Sequence, residues 1–183
     1  MAKNSVSAYH DTLSMWRPLL AKGLEEDGWL QDWTTLGTLQ GRDSSRSVSA
    51  QVVAKSEGTW SASGLVAALN HEASRLTGLA GFTATTELQD GDHFKGGDVV
   101  SKWEGPARLV LALERTFLNL AAYSCGISTA TQKLVEQARR ACPGSPPRVT
   151  ATRKMLPHYR DVANYAVRAG GGFSHRVNLA GGV

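Results

Sequence analysis

The sequence predicts a mixed fold, in which an α+β layer over residues 1–105 is followed by a parallel β-α-β unit within residues 106–183. Two observations carry this prediction. In the first part, helical segments mix with short alternating segments that end in Asp-Gly and Gly-Gly turns, which are typical of antiparallel strands. In the second part, a strand, a helix and a strand follow each other, the order that favours a parallel pair.

The predicted α+β layer is built from two helices and two strands. Apolar residues recur at helical spacing over residues 9–24 and again over residues 65–76, where Gly78 ends the second helix. Strict alternation predicts strands over residues 47–54 and 82–88.

An acidic run, Glu25 to Asp27, ends the first helix and precedes a segment, residues 29–35, that reads as a loop. This run could bind a metal ion. Because no histidine or further carboxylate converges on it in the sequence pattern, the pattern favours a solvated helix end.

The second part begins with a helix led by Pro106, which suits a first-turn position. We expect this helix to end near Tyr123 and Gly126 to break it. Ser128 or Thr129 can then cap a further helix, which must stop at the proline-rich segment 143–147.

A polar face of the Pro106 helix carries Arg115 and Asn119, one turn apart. These side chains could point into a site or an interface. The pattern alone favours the simpler interpretation, a basic face exposed to solvent.

Two cationic pairs stand at corresponding ends of the predicted parallel strands. Arg153 and Lys154 end the strand 148–152, and His175 and Arg176 lie in the strand that starts at Phe173. Ligands of parallel sheets bind at the carboxyl ends of strands, so we predict an anion site here. The intervening glycines 170–172 allow a tight turn or a close backbone approach, but their spacing is neither a P-loop nor a dinucleotide fingerprint.

The charge distribution supports an anionic partner. Residues 1–105 carry 9 Lys and Arg against 13 Asp and Glu, whereas residues 106–183 carry 11 against 3. Nucleic acid, a phosphorylated small molecule and an acidic protein surface all fit such a basic half. The chain shows neither a signal-peptide pattern nor a membrane-length apolar run, and its two cysteines make no disulfide framework, so we expect a cytoplasmic protein.

Six motifs, in order, carry a resemblance to a known family. They are EEDGWLQDWTT, DGDHFKGGDVV, ERTFLN at 114–119, SCGISTAT at 124–131, TRK at 152–154 and NYAVRAGGGFSHR at 164–176. Through them the sequence resembles the quinolinate phosphoribosyltransferases, the carboxylating nicotinate-nucleotide pyrophosphorylases of NAD biosynthesis.

The resemblance implies an α+β N-terminal domain, residues 1–105, followed by the start of an incomplete α/β barrel, residues 106–183. It implies transfer of phosphoribosyl from phosphoribosyl pyrophosphate to quinolinate, with Mg²⁺ as cofactor. It also implies a homodimer or larger homo-oligomer in which Arg115 reaches the partner's active site, with neither membrane nor nucleic acid as partner. The substrate-binding residues that it implies are Arg115, Thr152, Arg153, Lys154, His175 and Arg176, of which Arg153 and Lys154 are the catalytic candidates. The chain offers no identifiable metal ligands.

The sequence departs from the family pattern at several positions. Met155 replaces a threonine, His158 a glycine, Asn164 a lysine and Cys125 a serine, and the family's GDxTT reads QDWTT at residues 31–35. The cationic residues stay in place.

The sequence stops at Val183, before the later barrel strands and acidic residues of the family. We therefore expect it to be part of a longer enzyme, whose barrel could return a segment to the N-terminal domain. Two alternatives stay open. One is an inactive or divergent relative that acts on another ring or serves as a binding subunit. The other is a basic nucleic-acid-binding module, although the aromatic platforms that favour this class are missing.

Overall fold

The computed structural model describes residues 12–39 and 46–174. The helices are α1 (Thr12–Asp27), α2 (Trp33–Thr38), α3 (Ser63–Thr77), α4 (Ala107–Ala141) and α5 (Arg160–Ala169), with a 3₁₀ turn at Trp29–Gln31. The strands are β1 (Ser47–Val53), β2 (Gly58–Thr59), β3 (Thr83–Thr85), β4 (His93–Phe94) and β5 (Val99–Pro106). The predicted mixture of helix and sheet is confirmed. Within these residues, no helix combines the length and the apolar character that a membrane crossing requires.

An antiparallel sheet forms the first part, as the turn chemistry predicts. Its strand order is β1-β5-β3, and Trp103 in β5 pairs with Ala50 on one side and Ala84 on the other. A separate two-stranded ladder joins β2 to β4. The predicted strand 82–88 is too long, because pairing stops at Thr85 and the chain then turns to meet α3, where Ser63 Oγ donates to Leu88 O at 3.2 Å.

The core lies between this sheet and the helices α1, α3 and α4. Its largest buried side chains include Trp16, Trp60 and Phe117. Trp103 stands edge-on between two phenylalanines, with ring centroids 5.5 Å from Phe82 and 5.0 Å from Phe117. Such aromatic pairs add to the stabilisation that burial alone gives.

The predicted break at Gly126 is wrong, since α4 runs without interruption for 35 residues. Glycine costs a helix only about 1 kcal/mol relative to alanine, and packing on either side easily exceeds that cost. Of the predicted caps, Thr129 instead donates its hydroxyl back to Cys125 O at 2.6 Å inside the helix, and Ser128 Oγ lies 3.0 Å from the same oxygen.

The predicted loop over residues 29–35 is also wrong, because it contains the 3₁₀ turn and the start of α2. Asp32 caps α2: its carboxylate accepts the backbone N–H of Thr35 at 3.1 Å and the Thr35 hydroxyl. These hydrogen bonds, that from the hydroxyl foremost, hold the pKa of Asp32 below its ordinary value.

The parallel orientation predicted for the last part is confirmed at one bridge, Thr150 with Phe173. The helix between them, α5, ends at Ala169, with Gly170 as its C-terminal cap. A Cβ on Gly170 would overlap the Ser128 carbonyl oxygen and come within 2.8 Å of Thr131 Cβ. The glycine therefore lets α5 approach α4 closely, one of the two roles that the sequence suggests for the triplet.

Candidate functional site

The cationic pair Arg153 and Lys154 follows directly on the paired segment. Ala151 N–H donates to Phe173 O at 2.7 Å, and Phe173 N–H donates to Val149 O at 2.9 Å. Beyond Ala151, the chain leaves the pairing and exposes both cations to solvent. The predicted position, at the carboxyl end of the segment, is therefore confirmed.

A local hydrogen bond shapes the backbone at this pair. Thr152 is exposed, and its hydroxyl oxygen accepts the backbone N–H of Lys154 at 3.2 Å. Threonine side chains often fix turns in this way. Thr152 thus supports the conformation of the cationic pair.

A short loop, residues 155–159, carries the chain from the cationic pair to α5. Tyr159 N–H donates to Leu156 O at 3.2 Å, which closes a turn. The Tyr159 ring packs edge-on against Tyr123 of α4, with centroids 5.2 Å apart. Burial raises the pKa of Tyr123, as does the neighbouring Tyr159. The end of the loop is therefore fixed to α4.

A cleft of about 550 Å³ lies beside this loop, between α1 and α4. Arg115 and Asn119 are exposed, as the solvent-face interpretation predicts, but they also line this cleft. The other charged or aromatic lining residues are Lys22, Glu26, Asp27, His158 and Tyr159. The structure thus brings Arg115 to the same cleft as His158 and Tyr159 at the end of the loop 155–159, whereas Arg153 and Lys154 do not line it.

Arg115 also borders a second cleft, of about 430 Å³, on the side of α2. Asp32, Thr34 and Thr35 from the QDWTT segment line it. Arg115 therefore lies between the loop 155–159 and the QDWTT segment.

Two of the predicted site residues, His175 and Arg176, lie outside the described residues. The described ranges contain no group of three or more His, Cys, Asp or Glu side chains that could hold a metal ion. The acidic end of α1 contains an ion pair, between Lys22 Nζ and Glu25 Oε2 at 2.9 Å, and its carboxylates are exposed. The described residues therefore do not form a site in which protein side chains coordinate Mg²⁺.

A more apolar cavity, of about 470 Å³, lies between β1 and α4 and is lined by none of the predicted site residues. Cys125 borders it. Burial raises the pKa of the Cys125 thiol, so this cysteine has the character of an inert core residue.

Sequence reasoning missed His158 and Lys22 as neighbours of Arg115. Pro157 indicates a turn with residue 158 at its third position, but nothing in the sequence places that turn beside Arg115. Lys22 gave no signal, because only the packing of α1 against α4 brings it to the cleft.

The same architecture occurs in solved enzymes. The crystal structure of NadC from Streptococcus pyogenes matches 89 % of this chain and 55 % of its own, with a TM-score of 0.75 and 27 % sequence identity.

Sequence comparison then gives the family. Residues 32–125 match the N-terminal domain of quinolinate phosphoribosyl transferase, and residues 127–183 match its C-terminal domain. The chain belongs to the quinolinate phosphoribosyl transferase family.

Two relatives are called probable nicotinate-nucleotide pyrophosphorylase [carboxylating]. That of Archaeoglobus fulgidus is 38 % identical over 135 residues, which cover 74 % of this chain and 49 % of the relative. That of Bacillus subtilis is 35 % identical over 145 residues, which cover 75 % and 45 %. The chain thus spans about half the length of the curated relatives that it matches.

Proposed function

We propose that the protein transfers phosphoribosyl from phosphoribosyl pyrophosphate to quinolinate, with loss of CO₂, to give nicotinate mononucleotide and pyrophosphate. Its relatives' names support the reaction. The observation that carries the proposal is the exposed pair Arg153 and Lys154, followed by a loop that borders the Arg115 cleft.

The residue types suit this chemistry. Quinolinate is a dicarboxylate, and arginine binds carboxylate and phosphate through two parallel hydrogen bonds, whereas lysine supplies a point charge. As the bond from ribose C1 to pyrophosphate breaks, negative charge grows on the leaving oxygen, and fixed cations stabilise it. The quinolinate nitrogen then bonds to C1 and becomes cationic, so the electron pair that departing CO₂ leaves on the adjacent ring carbon is stabilised until that carbon takes up a proton from water. The protein needs no nucleophile of its own.

Two further features belong to this proposal. We propose that the β-α-β segment starts an incomplete α/β barrel, which the parallel bridge at Thr150 supports. We also propose Mg²⁺ as the cofactor, bound with the phosphorylated substrate, because this ion binds phosphate oxygens readily. The two cysteines are free thiols, which suits a cytoplasmic location.

Replacement of Arg153 tests the reaction. We expect Arg153→Ala to lower kcat/KM for release of pyrophosphate and CO₂ about 100-fold, because a cation aimed at developing charge is lost. The matched control is Arg139→Ala, since Arg139 is an exposed arginine near the far end of α4. Equal kinetics of both variants and wild type would count against the assignment.

We also propose a homodimer in which Arg115 acts in the partner's site. Leu111 and Leu118 flank Arg115 on the same face of α4, and their side chains are 43 % and 38 % exposed. Trp33 is 78 % exposed. Exposed apolar side chains beside a functional arginine are typical of an interface.

Mixing two inactive variants tests the donation of Arg115. If it acts across the dimer, a mixed dimer of Arg115→Ala and Arg153→Ala subunits contains one intact site. Random exchange of subunits then restores about a quarter of wild-type activity. If Arg115 acts within its own subunit, every site lacks one arginine and mixing restores nothing.

A further inference from the structure

The turn at Asp90 and Gly91 joins two helices that are far apart in the sequence. One oxygen of the Asp90 carboxylate, Oδ1, accepts the backbone N–H of Ser63 at 3.1 Å, and the other, Oδ2, accepts the hydroxyl of Tyr165. Ser63 is the first residue of α3, and Tyr165 lies in the middle of α5, 75 residues after Asp90. A single carboxylate therefore connects the start of α3 to the side of α5.

The Asp90 carboxylate is held in place without any help from α5. The residue before α3, Ala62, has no side chain that could cap the helix, and the carboxylate of Asp90 takes this role through the N–H of Ser63. Negative charge is also favoured at this end of a helix. The next residue of the turn, Gly91, donates its N–H to Trp60 O at 2.8 Å. The turn thus offers α5 a fixed point of attachment.

Helix α5 meets this turn at two points that lie one helical turn apart. Tyr165 is 3 % exposed, and burial, together with the charge of Asp90, raises the pKa of its hydroxyl, which therefore stays protonated and donates. A Cβ on Gly91 would come within 3.2 Å of Ala169 O, so the turn also lies close to the last residue of α5. The turn therefore limits both the rotation of α5 and its movement along its own axis.

The position of α5 determines that of the backbone next to the cationic pair. Just after α5, Gly172 N–H donates to Val167 O at 2.9 Å, which ties the start of the following segment to the helix. The next residue, Phe173, accepts the N–H of Ala151 at 2.7 Å. The cationic pair begins two residues beyond Ala151. A shift of α5 would therefore move this backbone and displace the two cations.

We propose that Asp90 is a positioning residue for phosphoribosyl transfer, because its hydrogen bond with Tyr165 holds α5 where the cationic pair faces the substrates. This inference rests on the proposed function. The two oxygens of Asp90 are occupied by Ser63 and Tyr165, so the residue acts through α5 and not on a substrate. Long cationic side chains can follow a bound anion over a small displacement, whereas stabilisation of charge in the transition state depends on their exact placement. Loss of the contact should therefore lower kcat more than it raises KM.

The experiment measures steady-state release of pyrophosphate from quinolinate and phosphoribosyl pyrophosphate, well below the unfolding temperature of each variant. Tyr165→Phe removes the hydroxyl that binds Asp90 and leaves the cap of α3 intact. The matched control is Asn70→Ala, which removes two hydrogen bonds between α3 and β3, to Ala84 N–H at 2.6 Å and to Ala84 O at 2.7 Å. This control also loses buried polar contacts, but it touches neither α5 nor the turn.

We expect Tyr165→Phe to lower kcat about tenfold and to change either KM by no more than about twofold. Asn70→Ala should keep both constants of the wild type. Asp90→Asn should restore most of kcat, because an amide can accept from the Ser63 N–H and donate to the Tyr165 oxygen. Wild-type kcat in Tyr165→Phe, or an equal fall in Asn70→Ala, would overturn the inference and leave the proposed function intact.

Hydrogen exchange of the backbone amides of Ala151 and Phe173 tests the same contact without reference to the reaction. Both amides should exchange faster in Tyr165→Phe than in wild type, and at the wild-type rate in Asn70→Ala. Unchanged exchange in Tyr165→Phe would show that Asp90 does not hold this segment. If wild type releases no pyrophosphate from the two substrates, the proposed function fails, whereas the exchange rates still decide whether Asp90 positions the backbone of the cationic pair.

Discussion

Replacing Gly126 by alanine tests the continuity of α4. Gly126 is exposed in the middle of this helix, and an added Cβ would meet no heavy atom within 4 Å. Its φ lies outside the left-handed range. The new methyl group therefore causes neither a clash nor backbone strain.

The expected effect is a stabilisation. Alanine is favoured over glycine inside a helix by about 0.8–1 kcal/mol, mainly because glycine loses more backbone freedom on folding. For a chain of 183 residues, a gain of about 1 kcal/mol raises the unfolding midpoint by about 2–4 °C. Because the site is exposed, this gain should appear almost undiminished.

Thermal and urea unfolding followed by circular dichroism measure this change. Gly170→Ala is the opposite control, since its Cβ would overlap the Ser128 carbonyl oxygen and should cost about 1–3 kcal/mol. If Gly126 instead ended one helix before another began, alanine would gain no helix stabilisation. A midpoint for Gly126→Ala that is unchanged or lower would refute the continuous helix.

Two further predictions concern buried polar groups. Burial opposes ionisation of Glu72, but hydrogen bonds from Arg75 and His71 and the charge of Arg17 outweigh it and lower its pKa. Glu72→Gln should therefore lower the free energy of unfolding by about 2–3 kcal/mol at pH 7. As the pH falls through the lowered pKa of Glu72, the wild-type carboxylate becomes protonated and the difference between the two proteins shrinks. Tyr165→Phe should cost about 1.5–3 kcal/mol in urea unfolding, because the Tyr165 hydroxyl donates to the Asp90 carboxylate.

Local patterns predicted most of the elements. Alternation identified β1, helical spacing identified α1 and α3, and Gly78 was correctly expected to end α3, where it takes a left-handed conformation. These features depend on the residues of the segment itself. The division at residue 105 stays a prediction.

The errors arose where distant contacts decide the structure. A glycine such as Gly126 is typical of a helix end. In this fold, however, the hydroxyl of Ser124 donates to Ser61 O at 2.8 Å, and that of Ser128 donates to Thr59 O at 2.6 Å. These hydrogen bonds hold the middle of α4 against the β2 segment. The sequence separation is more than 60 residues. Periodicity within one segment carries no information about such contacts.

The candidate site shows the same limit. The spacing of strand, helix and strand was enough to place Arg153 and Lys154 at the end of the first paired segment. The neighbours of Arg115 across the fold, Lys22 and His158, depend on how α1 and the loop 155–159 pack around α4. A site made of several segments can therefore be predicted only segment by segment.

The contacts of α4 imply that residues before and after its start unfold together. The buried serines join it to the β2 segment, α5 packs on its second half, and Tyr165 of α5 reaches Asp90. All five tryptophans lie within residues 1–105, whereas α4 and α5 dominate the helical signal of the rest. Tryptophan fluorescence and far-ultraviolet circular dichroism should therefore give the same urea midpoint. Two separated transitions would show that the two parts unfold independently, and that the contacts along α4 couple them too weakly to matter.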